Sequence, residues 1–418
     1  MAPGPGLATR SVQRKTDSLV HCRDRAAVLT ACRNLKMARS AQAYVRGNTR
    51  KFYEWLQNAK VGRLPRGPAI WIGGDCHLGN LGPLADEAGD IDIQIRDLDQ
   101  TVIGNPVHDL IRLGLSLATA VRGSDLPGVT TAKALDNMMV CYEQAFGRAS
   151  KDSASRREKP DSIRAVMHRS LNRSWKQLAS DRIEDTKPAI PLGKRFWPLC
   201  KKEKLEIKKL FEQEDVQRLV TSLNSRKDKA PIKVLDSAYW RKGCSSLGRL
   251  RFAVLVRIGK PPYKGKNLCL IDIKEAVKAA APQYPHVRMP RDNAERVVEG
   301  ARHLAPNLGQ RIVAAKFFDK SVIIRELLPQ DLQLEIEQLT RDEAMNAAGY
   351  LAAVLGKAHA RQMNAPTRKK WRDELKRHRP KKKDAPSWLW SSVVELQVLH
   401  EAEYLEHCRK YAMNPTSS

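Results

Sequence analysis

The sequence lacks the marks of a disulfide-rich, zinc-binding or membrane-spanning protein. Its 8 cysteines are scattered along 418 residues, and none stands in the Cys-x-x-Cys spacing of a zinc or redox site. No run approaches the ~20 apolar residues that cross a bilayer, and the N-terminus has no apolar signal-peptide core. We therefore expect a cytoplasmic protein without membrane contact.

The chain also lacks a P-loop and is poor in aromatic residues. The glycine-containing segment 242–248 is followed by Arg249 and Leu250, where a P-loop has Lys and Ser or Thr. Aromatic residues make up 6% of the chain and leave few side chains on which nucleic-acid bases could stack. A nucleotide site in this chain must therefore be of another type.

Basic residues outnumber acidic ones by a wide margin. The 74 Lys and Arg against 46 Asp and Glu give a net charge of +28 and a pI near 9.9. Much of the excess lies in two runs, 200–211 and 368–384. Such a charge suits a nucleic acid, but also a nucleotide or an acidic substrate, and charged runs are usually solvated faces. Nucleic-acid binding through these runs is an alternative that the sequence does not favour.

Oxygen-bearing side chains are concentrated in two short segments on either side of residues 81–95. Asp75 can accept a proton from a hydroxyl, and Asn80 and Asp97 offer the hard oxygen ligands that Mg²⁺ prefers. The intervening segment has a turn-rich centre and an alternating Ile-Asp-Ile-Gln-Ile run. We expect it to form a hairpin that brings the two metal ligands together.

Each piece of this motif has a simpler interpretation. Asp and Asn beside Gly are common turn formers, so an isolated Gly-Asp-x-His would usually be a turn. The ordered succession of Asp75, Asn80 and Asp97, continued by Asp109, favours a site instead. His77 either takes part in the chemistry or orients the neighbouring backbone. The extra site candidates are Asp99 and Arg46.

A second set of candidates begins at the glycine-containing segment 242–248. This segment precedes a strand-like apolar run, so it fits either an ordinary hairpin or a loop whose backbone N–H groups lie over phosphates. Its candidate contacts are Gly243, Ser245, Ser246 and Gly248. The strand-like run 268–276 then carries Lys274, which is either a phosphate ligand or a solvated lysine at a sheet edge.

A helix and a strand complete the second set. The segment 291–305 predicts a helix with Glu295 and Glu299 on one face. Either glutamate is a candidate partner for Lys274, and either is equally a solvated surface residue. The candidate nucleotide contacts of the strand-like run 321–328 are Arg325, Glu326 and Leu327.

The first set resembles the catalytic loop of aminoglycoside and choline phosphotransferases, which are protein-kinase-like enzymes. Gly74–Asn80 is similar to the Gly-Asp-x-His-x-x-Asn part of their His-Gly-Asp-x-His-x-x-Asn pattern, whose first His is replaced by a glycine here, and a strand and an Asp follow. Asn105–Leu110 resembles their next segment, Gly-Asp-Pro-x-x-Asp-Leu. The roles that this resemblance implies are catalytic base for Asp75, metal ligand for Asn80 and Asp97, and brace of the catalytic loop for Asp109.

The same resemblance assigns the second set to ATP. It implies that Lys274 contacts the phosphates and pairs with a helix glutamate, and that residues 325–327 are the hinge whose backbone binds the adenine edge. In those enzymes a helix ending in a Leu-His-Ala-like element directly precedes the catalytic loop, whereas here it lies at 340–363. The order indicates a circularly permuted, two-lobed kinase-like fold of the α+β class with helical insertions. It requires 340–363 to pack beside 70–110.

Most of the chain is also similar to the bacterial family labelled domain of unknown function 2252. The similarity rests on the motifs KMARSAQAYVRGNTRKFY, GDCHLGNLG, RDLDQTVIGNPVHDLIRL, PLGKRFWPL, GCSSLGRLRF, IDIKEA, RVVEGARH, IIRELLPQD and LGKAHARQM. The family label implies no activity, so the functional expectation comes from the residues.

We expect five regions and one main activity. The regions are a disordered stretch 1–20, helices with the catalytic-loop half 21–147, a helical insertion 148–231, a strand-rich nucleotide lobe 232–330, and a helical part 331–418 packing on the catalytic half. The expected activity is ATP- and Mg²⁺-dependent phosphoryl transfer to an unidentified small-molecule hydroxyl. The alternatives are nucleotidyl transfer, a pseudokinase, and a polyanion-binding protein.

Overall fold

The computed structural model describes most of the chain. The described residues are 20–58, 64–122, 127–147, 160–161, 163–165, 189–222, 230–244, 246–259, 268–328, 340–379 and 387–413. Much of the predicted insertion 148–231, nearly all of the stretch 1–20, and Ser245 lie outside these residues.

Helices and strands both contribute to the fold, as the predicted α+β class requires. The helices are α1 (Arg25–Met37), α2 (Ala41–Gly47), α3 (Thr49–Asn58), α4 (Val107–Arg122), α5 (Gly128–Gln144), α6 (Lys201–Leu210), α7 (Glu214–Thr221), α8 (Asn293–Leu304), α9 (Pro306–Gly309), α10 (Arg341–Ala360), α11 (Ala365–Arg377) and α12 (Trp388–Cys408). The strands are β1 (Ile70–Ile72), β2 (Leu81–Ala85), β3 (Ile91–Ile95), β4 (Val102–Gly104), β5 (Phe196–Trp197), β6 (Ile232–Trp240), β7 (Arg251–Ile258), β8 (Leu268–Glu275), β9 (Ile312–Phe317) and β10 (Lys320–Leu327).

The largest sheet is six-stranded and antiparallel, in the order β5-β6-β7-β8-β10-β9. Strands β6, β7 and β8 follow one another in space as in sequence, whereas α8 intervenes before β9, so β10 returns to pair with β8. Asp292 caps α8, because its side chain accepts hydrogen bonds from the N–H groups of Ala294 and Glu295. The edge strand β5 comes from the region predicted as an insertion, so the lobe extends beyond the predicted boundary at 232.

The two faces of this sheet have different environments because side chains alternate along each strand. On β7, Phe252, Val254 and Val256 point to the face that α6 and α7 cover, together with Ile271 and Ile273 of β8. The opposite face carries a smaller apolar cluster at one end and charged side chains at the other. The charged end faces the rest of the molecule and forms part of the cavity described below.

The catalytic-loop half is built from helices around the hairpin β2–β3. The register Leu81↔Ile95 confirms the predicted hairpin, and the N–H of Arg96 donates to the Asn80 carbonyl at 2.7 Å. Helices α4, α5, α10 and α12 surround the largest apolar core. The side chain of Gln362, after α10, bonds both backbone groups of Trp71, which confirms that 340–363 packs beside 70–110.

The outer parts of the chain follow the prediction in part. Residues 25–58 are helical as expected, and Val20 is buried. The basic run 368–384 begins in α11, where Trp371 and Leu375 are buried and anchor the helix. Within the described residues, no helix combines the length and the apolarity that crossing a membrane requires.

Helices α5 and α10 approach closely through glycine, which yields a first prediction. A Cβ on Gly356 would lie 2.7 Å from Ala145 Cβ and 2.9 Å from the Tyr142 carbonyl oxygen. We expect Gly356→Val to lower the free energy of unfolding by about 1–3 kcal/mol, because the helices must separate. Gly128→Val is the control, since a Cβ at Gly128 meets nothing within 4 Å. Equal denaturant midpoints for the two variants would contradict the packing.

Candidate active site between the two halves

A cavity of about 350 Å³ lies where the catalytic-loop half meets the six-stranded sheet. Its wall brings together both sets of sequence candidates, although up to 279 positions separate them, from Arg46 to Arg325. The predicted site residues on its wall are Arg46, Asp75, His77, Asn80, Asp97, Gly243, Ser246 and Arg325. Residues that the sequence did not single out also line it, namely Lys36, Arg96, Lys242 and Arg251.

The Asp109 carboxylate holds the backbone of the predicted catalytic loop in place through hydrogen bonds. This fully buried carboxylate accepts hydrogen bonds from the N–H groups of Gly73 (2.7 Å) and Gly74 (2.8 Å), as the resemblance implied. His359, in the last turn of α10, lies beside it with Nε2 3.2 Å from a carboxylate oxygen. Tyr142 contacts His359 Nδ1 at 2.8 Å, so the ring is fixed on both sides. The loop is thus tied to helices from opposite ends of the chain.

Gly74 needs to be a glycine for a steric reason. Its φ of +71° lies in the left-handed region that favours glycine. A Cβ on this residue would lie 2.1 Å from the carbonyl oxygen of Gln100. A residue with a side chain therefore cannot occupy this position while the loop keeps this path.

Asp75 is held by two side chains that the sequence analysis missed. Its Oδ1 accepts from Arg112 Nε at 2.7 Å, and its Oδ2 accepts from the Thr49 hydroxyl at 2.8 Å. Arg112 is fully buried and lies three residues after Asp109 on α4, so one helix face holds both the carboxylate and the loop backbone. That spacing was the signal available in the sequence. Each carboxylate oxygen keeps further acceptor capacity for a substrate hydroxyl.

Asn80 and His77 complete the loop. Asn80 Nδ2 donates to the Asp75 carbonyl at 2.7 Å, which leaves the amide oxygen as the atom available to a cation. Burial lowers the pKa of His77 to about 4, so its imidazole is neutral at pH 7. The Nδ1 atom of His77 is buried and has no hydrogen-bond partner among the described residues.

Lys274 pairs with aspartates of the catalytic half, not with a helix glutamate. The Lys274 Nζ lies 2.6 Å from Asp99 and 3.0 Å from Asp97. Lys274 is only 5% exposed, so it is not a solvated lysine at a sheet edge. Desolvation would raise the pKa of the Asp97 carboxyl, but Lys274 and Arg325 outweigh it and hold that pKa well below its usual range. Desolvation, together with the neighbouring Asp97, raises the pKa of Asp99. The Asp97 side chain remains 46% exposed and lines the cavity.

The expected pairing of Lys274 with Glu295 or Glu299 is therefore wrong. Both glutamates line a different cavity, beside α7, and Glu299 pairs with Arg302 at 3.2 Å. Near Lys274, the residue of α8 that contacts the catalytic half is Arg296, which donates to the Asp99 carbonyl at 3.1 Å. The helix is rotated so that an arginine, not a glutamate, meets the site.

On the cavity face of the sheet, charged side chains of neighbouring strands lie side by side in successive rows. Arg251 lies opposite Lys274, and Asp272 lies between Ala253 and Arg325. Asp272 is fully buried, and Arg251 binds it with both Nε (3.0 Å) and Nη2 (2.6 Å). Burial would raise the pKa of Asp272, but the two arginines hold it below its usual range. The next row is apolar, because Leu270 pairs with Leu255 and Leu327.

The predicted hinge residues differ in their surroundings. Arg325 lines the cavity and donates to the Arg96 carbonyl at 3.0 Å, so it bridges the two halves. The side chains of Glu326 and Leu327 are buried, and the Glu326 carbonyl accepts from Arg311 at 3.3 Å. A contact between their backbone and adenine stays a prediction.

The glycine-containing loop between β6 and β7 closes the cavity on the side of α1 and α2. Gly243 has a φ of +93°, and a Cβ there would lie 2.3 Å from Ser246 Oγ. Lys36 of α1 donates to the Gly243 carbonyl at 2.8 Å and ties the loop to the N-terminal helices. Gly248, with a φ of +94°, turns the chain toward β7.

The buried position of Asp109 generates a prediction about stability. We expect Asp109→Ala to lower the free energy of unfolding by about 3–5 kcal/mol, because two backbone N–H groups and His359 lose their partner in the interior. Asp90→Ala is the matched control, since Asp90 is exposed in the β2–β3 turn, and it should change stability by less than about 0.5 kcal/mol. Urea denaturation of both variants measures the difference. A small effect at Asp109 would refute its bracing role.

The low pKa of His77 predicts an acid-sensitive fold. In the unfolded chain the imidazole takes up a proton as pH falls below 6.5, whereas the folded protein does so only near pH 4. The contribution to stability is complete above pH 6.5 and is lost as pH falls toward 4, by up to about 3 kcal/mol. We expect His77→Asn to flatten this part of a plot of unfolding free energy against pH. Identical slopes for variant and wild type would show that His77 does not contribute.

Comparison with known proteins identifies a family without an assigned chemistry. Neither curated proteins nor solved structures gave a match to the chain. A family model described as "Uncharacterized protein conserved in bacteria (DUF2252)" matches residues 25–410. This range contains the cavity, the catalytic loop and the whole six-stranded sheet. The chain therefore belongs to this conserved bacterial family, DUF2252.

Proposed function

We propose that this protein is an ATP- and Mg²⁺-dependent phosphotransferase with a kinase-like fold in circularly permuted order. The observation that carries the proposal is the cavity itself. Asp75, Asn80 and Asp97 line it on one side, and the loop at Gly243 lines it on the other, although the chain order of these parts is inverted. A catalytic base, two oxygen ligands for a metal and a backbone loop over phosphates are the parts that kinase chemistry requires.

The order of parts within the sheet supports the same proposal. The glycine-containing loop joins β6 to β7, the lysine strand β8 follows, then α8, and finally the strand β10, whose last three residues are the predicted hinge. Because β10 pairs with β8, the hinge lies next to the lysine strand. Protein kinases use a glycine-rich loop, a strand lysine and a following helix in this succession.

In the proposed reaction Asp75 accepts the proton of the substrate hydroxyl as the hydroxyl oxygen attacks the terminal phosphorus of ATP. The bond between that phosphorus and its bridging oxygen breaks, and ADP leaves. Arg112 and Thr49 fix the carboxylate, so little reorganisation is needed at the moment of transfer. The cationic wall of the cavity offsets the negative charge of the transferring group.

The residues present fit a magnesium ion. The Asn80 amide oxygen and the partly exposed Asp97 carboxylate are hard ligands on one cavity wall, and a bound Mg²⁺ would neutralise phosphate charge and orient the phosphates. Lys274 would then bind phosphate oxygens while remaining paired with Asp99. The same arrangement is compatible with nucleotidyl transfer if the nucleotide binds in the reverse direction.

The alternatives are a pseudokinase and a polyanion-binding protein. The exposed lysines of α11, Lys369, Lys370 and Lys376, are available to a polyanion. The same helix is anchored by Trp371, whose indole N–H donates to the Tyr142 hydroxyl, so its charged surface is that of a docked structural helix. This favours a solvated face over a dedicated nucleic-acid arm.

The test of the proposal is the thermal midpoint of the purified protein with ATP, with Mg²⁺ and with both. We expect saturating ATP with Mg²⁺ to raise the midpoint by about 3–5 °C, and ATP alone to do so by less. Asp97→Asn should abolish the Mg²⁺-dependent part of the shift. Asp92→Asn is the matched control, because this aspartate lies in the same hairpin but outside the cavity wall.

Two outcomes would count against an enzyme. The absence of any shift at saturating ligand would favour a nucleotide-independent binding protein. A shift without ATP consumption in the presence of hydroxyl acceptors would favour a pseudokinase.

A further inference from the structure

Cationic side chains outnumber carboxylates on the cavity wall. Six cationic side chains and two carboxylates line it. Behind the wall, Arg112 pairs with Asp75, Lys274 pairs with Asp99, and Asp272 pairs with Arg251. The wall is therefore suited to anionic ligands.

The cations of the wall are not equally engaged. Arg251 and Arg325 bind Asp272, and Lys36 donates to the Gly243 carbonyl. Arg46, at the end of α2, is half-buried and makes no hydrogen bond or ion pair with any residue that the structure describes. A half-buried guanidinium without a partner is costly unless a ligand supplies the anion.

The backbone around Arg46 fixes it beside the proposed base. The carbonyl of Val45 accepts from Arg112 Nη2 at 2.7 Å, while Arg112 Nε binds Asp75. On the other side, Thr49 donates its hydroxyl to Asp75 at 2.8 Å. The residues that flank Arg46 are thus tied to the Asp75 carboxylate from both directions. Arg46 lines the same cavity as His77 and Cys244, which places its charge between the catalytic loop and the glycine-containing loop.

We propose that the hydroxyl substrate carries an anionic group of the phosphate monoester type, and that Arg46 binds this group and so positions the hydroxyl at Asp75. This inference rests on the proposed function and adds the substrate class. An acceptor that is neutral or cationic would offer no anionic partner to the Arg46 guanidinium, which lines the cavity. Arg46 is a substrate-binding residue in this proposal, and the nucleotide is bound by other groups.

The experiment uses the full chain saturated with Mg²⁺ and the non-hydrolysable β,γ-imido analogue of ATP. Calorimetric titration then measures binding of glycerol 3-phosphate, inorganic phosphate and uncharged glycerol. We expect both phosphate probes to bind, glycerol to bind at least tenfold more weakly, and Arg46→Gln to weaken glycerol 3-phosphate binding at least tenfold. Arg46→Lys should recover part of the affinity, and Arg23→Gln, whose side chain is 86% exposed outside the cavity, should match wild type.

The outcomes separate the two proposals. If the ATP analogue binds to wild type and to Arg46→Gln alike, but the phosphate probes bind equally to both, the substrate-class inference is overturned and the phosphotransferase proposal stands. Preference for glycerol over glycerol 3-phosphate has the same meaning. If the analogue does not bind to wild type with Mg²⁺, the proposed function fails and the inference falls with it. A misfolded Arg46→Gln would be recognised by loss of analogue binding, and Arg46→Lys then decides the matter.

Discussion

The site depends on one buried carboxylate. Asp109 accepts hydrogen bonds from two backbone N–H groups of the catalytic loop and contacts His359. The catalytic loop, α4 and α10 are therefore joined through one carboxylate. A buried carboxylate is stable only when such partners surround it, and removing one partner leaves the others unpaired. The direction of the loop, the placement of Asp75 and the docking of α10 are therefore set together. No local sequence preference could hold the loop, because Gly74 adopts a left-handed conformation that few residues share.

A second layer of charge joins the catalytic half to the sheet. Lys274 reaches across to Asp97 and Asp99, and Arg325 donates to the Arg96 carbonyl. Arg96, Asp97 and Arg325 line the cavity, so some of the groups that hold the two halves together are also groups that a bound ligand would meet. Binding a ligand there must exchange one set of ionic partners for another. The free-energy cost of the exchange is smaller for a cation that keeps one of its ionic partners. Lys274 can remain paired with Asp99, and Arg251 can remain paired with Asp272.

Much of the secondary structure and many of the residues on the cavity wall could be predicted from the sequence, because local sequence patterns indicate them. The alternating run of β3, the apolar run of β7 and the helical pattern within 340–363 all predicted the correct elements. The partner of Lys274 could not be predicted, because it depends on the rotation of α8 and on how closely the hairpin approaches β8. The two-residue strand β5 is too short to leave a periodic signal. Arg112 was missed because a buried arginine in an apolar helix has no sequence mark beyond its spacing from Asp109.

The bond between Asp109 and His359 spans 250 positions of the chain and bears on how the protein is made. At a ribosomal rate of about 5–20 residues per second, roughly 12–50 s pass between synthesis of the aspartate and emergence of the histidine. The loop and the hairpin are made early in that interval, whereas the last strand of the sheet ends at Leu327 and α10 begins only at Arg341. Until His359 is made, Asp109 lacks one of the partners that hold it in the interior. A chain cut short before His359 would therefore contain the cavity residues without the helix that fixes their geometry.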